Sequence, residues 1–117
     1  ALLKVQIAIR HLREARPGLS LTPIVEDVAK GSVALQLRDC DFIFLAADSM
    51  RARLVVNALA HQYMISAVQL GAKVQALPGG RLEEAFSAVR HVRPGHGCLW
   101  CNGWIDPTQL AIESKSD

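Results

Sequence analysis

The sequence predicts an α/β domain, and three observations support this prediction. Apolar residues recur at three- and four-residue spacing over residues 5–15, and a second helical segment covers residues 50–64. Between these helices, residues 41–47 include a continuous apolar run of the kind that is buried on both faces of a parallel sheet. Pro78, Gly79 and Gly80 then separate two strand-like segments, which predicts an antiparallel pair near the sheet edge.

The first half of the chain predicts a helix, a strand and a short helix. The first helix ends where residues 16–18, Arg-Pro-Gly, interrupt its periodicity. Residues 19–25 alternate in the manner of a strand, and Pro23 indicates an edge position or an irregularity. Residues 32–38 predict the short helix. The buried strand at residues 41–47 follows. Because helices and strands alternate along the chain, we expect a parallel sheet.

The second long helix begins after Asp48 and Ser49, whose side chains offer capping oxygens. We expect four residues to lie along one face of this helix: Val55, Ala58, Leu59 and Gln62. Residues 67–76 and 85–92 form the predicted hairpin. From Arg93 onward, glycines and prolines predict a loop region with one turn of helix near residues 108–113.

The composition of the chain excludes several classes of protein. The chain has 117 residues, enough for one domain, and 50% of them are hydrophobic, which excludes a disordered chain. The net charge is only +2 and the charges are scattered, so we expect no nucleic-acid partner. No apolar stretch approaches the roughly 18 residues of a membrane span, so we expect no membrane insertion and a cytoplasmic location. Because the first residue is not Met and a helix begins almost at once, we expect a part of a longer protein.

Asp48 is the first candidate for chemistry. A carboxylate just beyond a buried parallel strand faces the crevice where α/β sheets bind ligands, and it can hold Mg²⁺ against nucleotide phosphates. The alternative is structural, because Asp and Ser are the preferred residues at helix N-caps. Residue type alone favours the structural alternative.

Several landmarks occur in order along the chain: Lys4 opening a helix, the stop at residues 15–17, the strand leading to Asp48, Arg53 and Asn57 on the next helix, and the Cys98-Leu99-Trp100-Cys101 motif. This ordered set resembles the ThiF/MoeB/HesA family, whose members are related to the ubiquitin-activating enzymes. The resemblance extends from Lys4 to Cys101.

The resemblance implies a Rossmann-like three-layer sheet, the later half of a ThiF-type domain, with a β-hairpin and a loop-rich C-terminal region. Residues 1–117 would form one partial adenylation domain, with a Rossmann-like part at 1–76 and the hairpin and Cys-x-x-Cys loop at 77–117. The implied activity uses ATP and Mg²⁺ to adenylate the C-terminal carboxylate of a ubiquitin-like or sulfur-carrier protein, releasing pyrophosphate. Family members commonly form homodimers.

Carried over by position, Lys4 and Asp48 are the predicted catalytic residues. Lys4 would contact phosphates, and Asp48 would hold Mg²⁺ or orient it through water. Arg53 and Asn57 match family positions near the nucleotide, although Arg53 is equally compatible with a solvated surface charge. The family's glycine-rich loop and its acidic residue for the ribose are absent, so the isolated chain should be inactive. A non-catalytic α/β interaction or nucleotide-sensing domain is the alternative function.

Cys98 and Cys101 have the spacing of half a tetrahedral zinc site. The family usually adds a second Cys-x-x-Cys pair downstream, which these 117 residues do not contain, leaving His91, His96 or Cys40 as weak substitutes. Three alternatives follow: the second pair lies outside the chain, the metal has been lost, or the cysteines only pack. A redox role is less favoured, because the surrounding glycines indicate a loop rather than a helix N-terminus.

Overall fold

The computed structural model describes residues 3–116, which form four helices, one 3-10 helix and three strands. The helices are α1 (Lys4–Ala15), α2 (Gly31–Ala34), α3 (Met50–Gln62) and α4 (Pro107–Lys115), and the 3-10 helix covers Leu35–Asp39. The strands are β1 (Phe42–Leu45), β2 (Ser66–Ala76) and β3 (Leu82–Val92).

The three strands form one mixed sheet in the order β1-β2-β3. β1 pairs parallel with β2, from Phe42 opposite Ser66 to Leu45 opposite Gln69, and α3 makes the crossover between them. β2 and β3 pair antiparallel around the turn at Gly79 and Gly80, whose positive φ angles of 89° and 80° glycine adopts without steric cost. The predicted α/β class and the predicted hairpin are both confirmed.

The core lies on one face of this sheet. In β1, Ile43 and Leu45 are buried, whereas Phe42 and Phe44 are 42% and 72% exposed. The prediction that this strand is buried on both faces was therefore wrong. Among residues 3–116, the packed elements cover only one side of β1, because α3, Ile65, Leu99 and Ile105 all join the cluster around Ile43 and Leu45.

α3 supplies the largest share of that core. Its buried residues are Ala52, Val56, Asn57, Leu59 and Ala60. The predicted face was wrong except for Leu59, because Val55 is only half-buried and Ala58 and Gln62 are exposed. The stripe that packs follows a four-residue spacing from Ala52 to Ala60, where small side chains let the helix approach the sheet closely.

The predicted strand at residues 19–25 was wrong. These residues form no regular secondary structure, and they pair with no strand in the part of the chain that the structure describes. Pro23 cannot donate a ladder hydrogen bond, and this removes one reason for the segment to join a sheet. The neighbouring helix α1 forms as predicted but contains no buried residue.

The predictions of two short helical segments were confirmed. The predicted helix at 32–38 forms as α2 and the 3-10 helix. The predicted turn of helix at 108–113 is the longer α4, since the Asp106 carboxylate accepts hydrogen bonds from Thr108 N at 2.8 Å and Gln109 N at 3.2 Å and Pro107 occupies the first turn. No helix within residues 3–116 has the length and apolar character needed to cross a membrane.

Candidate functional site

Asp48 follows β1 by three residues, at the carboxyl end of a parallel strand. The helix cap is provided by its neighbour, because Ser49 Oγ accepts a hydrogen bond from Ala52 N at 3.1 Å. The Asp48 carboxylate is exposed and has no hydrogen-bond or ion-pair partner among residues 3–116. Asp48 therefore does not serve as the N-cap of α3, and its carboxylate is available to a ligand.

A cleft of about 500 Å³ opens beside Asp48 at the N-terminus of α3. Asp27 and Glu113 line the same cleft, and Arg51 contributes a cation. Residues 3–116 hold no group of three His, Cys, Asp or Glu side chains placed to share a metal ion. Mg²⁺ is commonly held by one or two carboxylates together with substrate phosphates and water, and the single free carboxylate of Asp48 fits that pattern.

Glu113 on α4 occupies the N-terminus of α3. Its Oε1 accepts a hydrogen bond from Met50 N at 3.1 Å and its Oε2 accepts one from Arg51 N at 3.0 Å. The hydrogen bond from Arg51 N is the largest cause, followed by the one from Met50 N, that holds the pKa of Glu113 below its ordinary value. The backbone amides that a helix N-terminus would offer to a phosphate are thus already bonded to a carboxylate of the protein.

Sequence reasoning missed Glu113. The residue lies within the helix predicted at 108–113, but its partners are 62 and 63 positions earlier in the chain. No local pattern predicts such a contact.

Lys4 and Asp48 are not brought together within the described residues. Lys4 is exposed in the first turn of α1, and none of the residues lining the Asp48 cleft belongs to α1. A contact between Lys4 and nucleotide phosphates therefore stays a prediction.

Arg53 does lie close to Asp48, and both line a small cavity of about 150 Å³. Arg53 is half-buried, and its Nη1 donates a hydrogen bond to Trp104 O at 2.8 Å. Its Nε is buried and has no hydrogen-bond partner within residues 3–116. Arg53 is thus partly withdrawn from solvent rather than a freely solvated surface charge.

Asn57 faces the cysteine-containing loop. Its side chain is 9% exposed, and its Oδ1 accepts a hydrogen bond from Leu99 N at 2.8 Å. This contact ties α3 to the loop that carries Cys98 and Cys101. A role for Asn57 beside a nucleotide stays a prediction.

Cys98 and Cys101 lie together at the surface. Their sulfur atoms are 2.9 Å apart, and Cys101 N donates a hydrogen bond to Cys98 Sγ at 3.1 Å. The side-chain hydrogen bond with Cys101 is the main cause that lowers the pKa of Cys98 to about 7. A thiolate is the form that binds zinc, so the pair fits half a zinc site.

Within residues 3–116 this pair has no third ligand close enough to share a metal ion. His91, His96 and Cys40 therefore do not complete the site as substitutes. Zinc binding stays a prediction that requires ligands from outside these residues.

Comparison with known proteins gives one match, to a family. The model of the ThiF family matches residues 2–110, a range that includes the site residues predicted from the sequence, from Lys4 to Cys101, but not Glu113. No curated protein and no solved structure matches the chain. Since the family match covers nearly all of the 117 residues, the chain belongs to the ThiF family.

Proposed function

We propose that the chain is part of an ATP-dependent adenylyltransferase that activates the C-terminal carboxylate of a ubiquitin-like or sulfur-carrier protein. The observation that carries this proposal is the free carboxylate of Asp48, which stands at the carboxyl end of β1 beside an open cleft. Membership of the ThiF family supports adenylation as the reaction class.

The proposed chemistry needs a metal ion next to Asp48. Attack of a carboxylate on a phosphate brings two negative charges together, and Mg²⁺ bound with the phosphates would reduce this repulsion. In the proposal, Asp48 holds the metal directly or through water. Arg53 contributes positive charge from the neighbouring small cavity.

Other parts of the proposal rest on the family and on sequence patterns. They are phosphate contact by Lys4, nucleotide contact by Asn57, zinc at Cys98 and Cys101, homodimer formation and a cytoplasmic location. We expect the 117 residues alone to be inactive, since they lack a glycine-rich phosphate loop.

The proposal is tested with Asp48→Asn, which keeps the size of the side chain and removes its charge. ATP–pyrophosphate exchange is measured with the full-length protein and a panel of ubiquitin-like and sulfur-carrier proteins. We expect the variant to lose about 100-fold or more of the exchange rate, as when a group that stabilises transition-state charge is removed. Asp41→Asn is the matched control, because Asp41 is exposed next to the opposite end of β1, and it should leave exchange unchanged.

Retained exchange in Asp48→Asn would remove this residue from the site. The alternative is a non-catalytic interaction or nucleotide-sensing domain, and the occupation of the α3 amides by Glu113 favours it. For an interaction domain, we expect no exchange with any carrier protein, no Asp48-dependent thermal shift with Mg-ATP and a stable protein partner in a pull-down.

A further inference from the structure

The hairpin extends beyond the part of the sheet that α3 covers, and it carries polar side chains on the face that continues the core. Opposite residues in an antiparallel pair share a face, as do residues two apart along a strand. The pairs Gln69 with Arg90 and Lys73 with Phe86 therefore lie on the face that begins with buried Ala67 and Val92.

A cavity of about 300 Å³ lies on this face and is lined by three cationic side chains, Arg53, Lys73 and Arg90. Its other walls are small residues and the ring of Phe86, which is half-exposed. The cavity thus combines three positive charges with an aromatic surface, although its residues come from α3 and from both strands of the hairpin.

The two arginines are oriented by neutral groups. Arg53 Nη1 donates to the backbone oxygen of Trp104, while the Arg90 guanidinium stacks 3.7 Å from the centre of the Trp104 ring and donates to Gln69 Oε1. Gln69 itself is 1% exposed, so the contact that holds Arg90 is firmly placed.

Among residues 3–116, no carboxylate forms an ion pair with any of these three cations. The ion pairs found among residues 3–116 involve Lys30 and Arg38, and neither lies in this cavity. Arg53 and Arg90 are both half-buried, so their charges repel each other with less screening than in bulk water. The buried Nε of Arg53, for which the described residues supply no acceptor, adds a further donor.

We propose that this cavity binds a phosphate group. A single carboxylate would leave two of the three positive charges uncompensated, whereas a phosphate or pyrophosphate carries enough negative charge to match them. The forked donors of arginine suit phosphate oxygens, and the lysine adds a point charge. The source is either a free inorganic phosphate or the phosphate of a small aromatic molecule whose ring packs on Phe86.

The cavity shares Arg53 with the proposed adenylation site, so the test uses neither ATP nor Mg²⁺ and relies on Lys73, which does not line the cavities beside Asp48. Binding of inorganic pyrophosphate and of phenyl phosphate to the full chain is measured by isothermal titration calorimetry at low ionic strength with a chelator present. Tighter binding of phenyl phosphate identifies an aromatic ligand, and tighter binding of pyrophosphate identifies an inorganic one. Either result supports the phosphate site.

Lys73→Gln is the test variant, because Lys73 is exposed, lies outside the predicted nucleotide site and can be changed without disturbing the core. We expect it to weaken binding of the preferred probe about fivefold, as for the loss of one partly screened charge contact. Lys73→Arg should retain the affinity. Arg81→Gln is the matched control, since it removes one charge from the same hairpin outside the cavity, and it should bind as the unaltered chain does.

Two results would overturn the inference. One is that neither probe shows saturable binding up to about 10 mM, because a specific site with three positive charges should bind more tightly than that. The other is equal weakening by Lys73→Gln and Arg81→Gln, because that would mean attraction to the general charge of the hairpin rather than binding in the cavity.

Discussion

Asn57 is the buried polar residue that joins α3 to the cysteine-containing loop. Leu99, which donates its backbone N–H to Asn57 Oδ1, is only 2% exposed, so water cannot replace this acceptor. The helical position of Asn57 follows from the sequence. Its partner lies 42 positions further along the chain, and only the packing of the loop against α3 brings the two together.

Substitution of Asn57 by Ala should destabilise the fold by about 2 kcal/mol, because it leaves a buried N–H group without an acceptor. Urea denaturation of the full chain measures the change. Asn102→Ala is the control, since Asn102 is exposed where it donates to Cys98 O, and it should cost less than about 1 kcal/mol. Unchanged stability of Asn57→Ala, together with a loss of Mg-ATP binding, would instead assign Asn57 to the nucleotide site.

At the scale of elements, α4 holds the start of α3 through a single carboxylate. Glu113 satisfies two amides in the first turn of α3, next to the one that Ser49 satisfies. Each helix is predictable from its own residues, since Ser49 and Asp106 are good N-cap residues. The contact between the two helices is not predictable in this way, because it depends on the path of the loop between β3 and α4.

Glu113→Gln should lower the Tm by a few degrees at neutral pH, because it removes the negative charge that stabilises the α3 N-terminus. The pKa of Glu113 lies below its ordinary value of 4.5, so its contribution is complete above that value and is lost as the pH falls through the lowered pKa. Thermal denaturation of both proteins across this pH range measures the effect. The exposed Glu83→Gln serves as control, and a Tm difference that stays constant at acid pH would contradict the assignment.

For the whole molecule, the core is confined to one face of a three-stranded sheet. The other face exposes Phe44 and Val89, each 72% exposed, and α1 stands apart with no buried residue. An amphipathic pattern predicts which face of a helix is apolar, but it does not predict whether that face finds a partner. Residues 5–15 show this, because their helix forms as predicted and yet does not join the core.

Substitution of one leucine in the core and one on α1 by alanine tests whether α1 contributes to the packed core. Leu45→Ala should destabilise the chain by about 3 kcal/mol, since Leu45 is 5% exposed in the core. Leu12→Ala should cost less than about 1 kcal/mol, because Leu12 is 44% exposed on α1 and alanine favours helix. Urea denaturation measures both. Equal losses would mean that α1 packs against the core in solution.

The sequence by itself determined the α/β class, both long helices, the parallel strand before Asp48, the hairpin and the family. These depend on local periodicity, capping residues and turn residues, which act over a few positions. Only the tertiary structure decided which face of α3 is buried and that residues 19–25 pair with no strand among residues 3–116. It also decided that Glu113 reaches the α3 amides and that Arg53, Lys73 and Arg90 share a cavity. Each of these outcomes depends on groups far apart in the chain, whose approach is set by the packing of whole elements rather than by any local pattern.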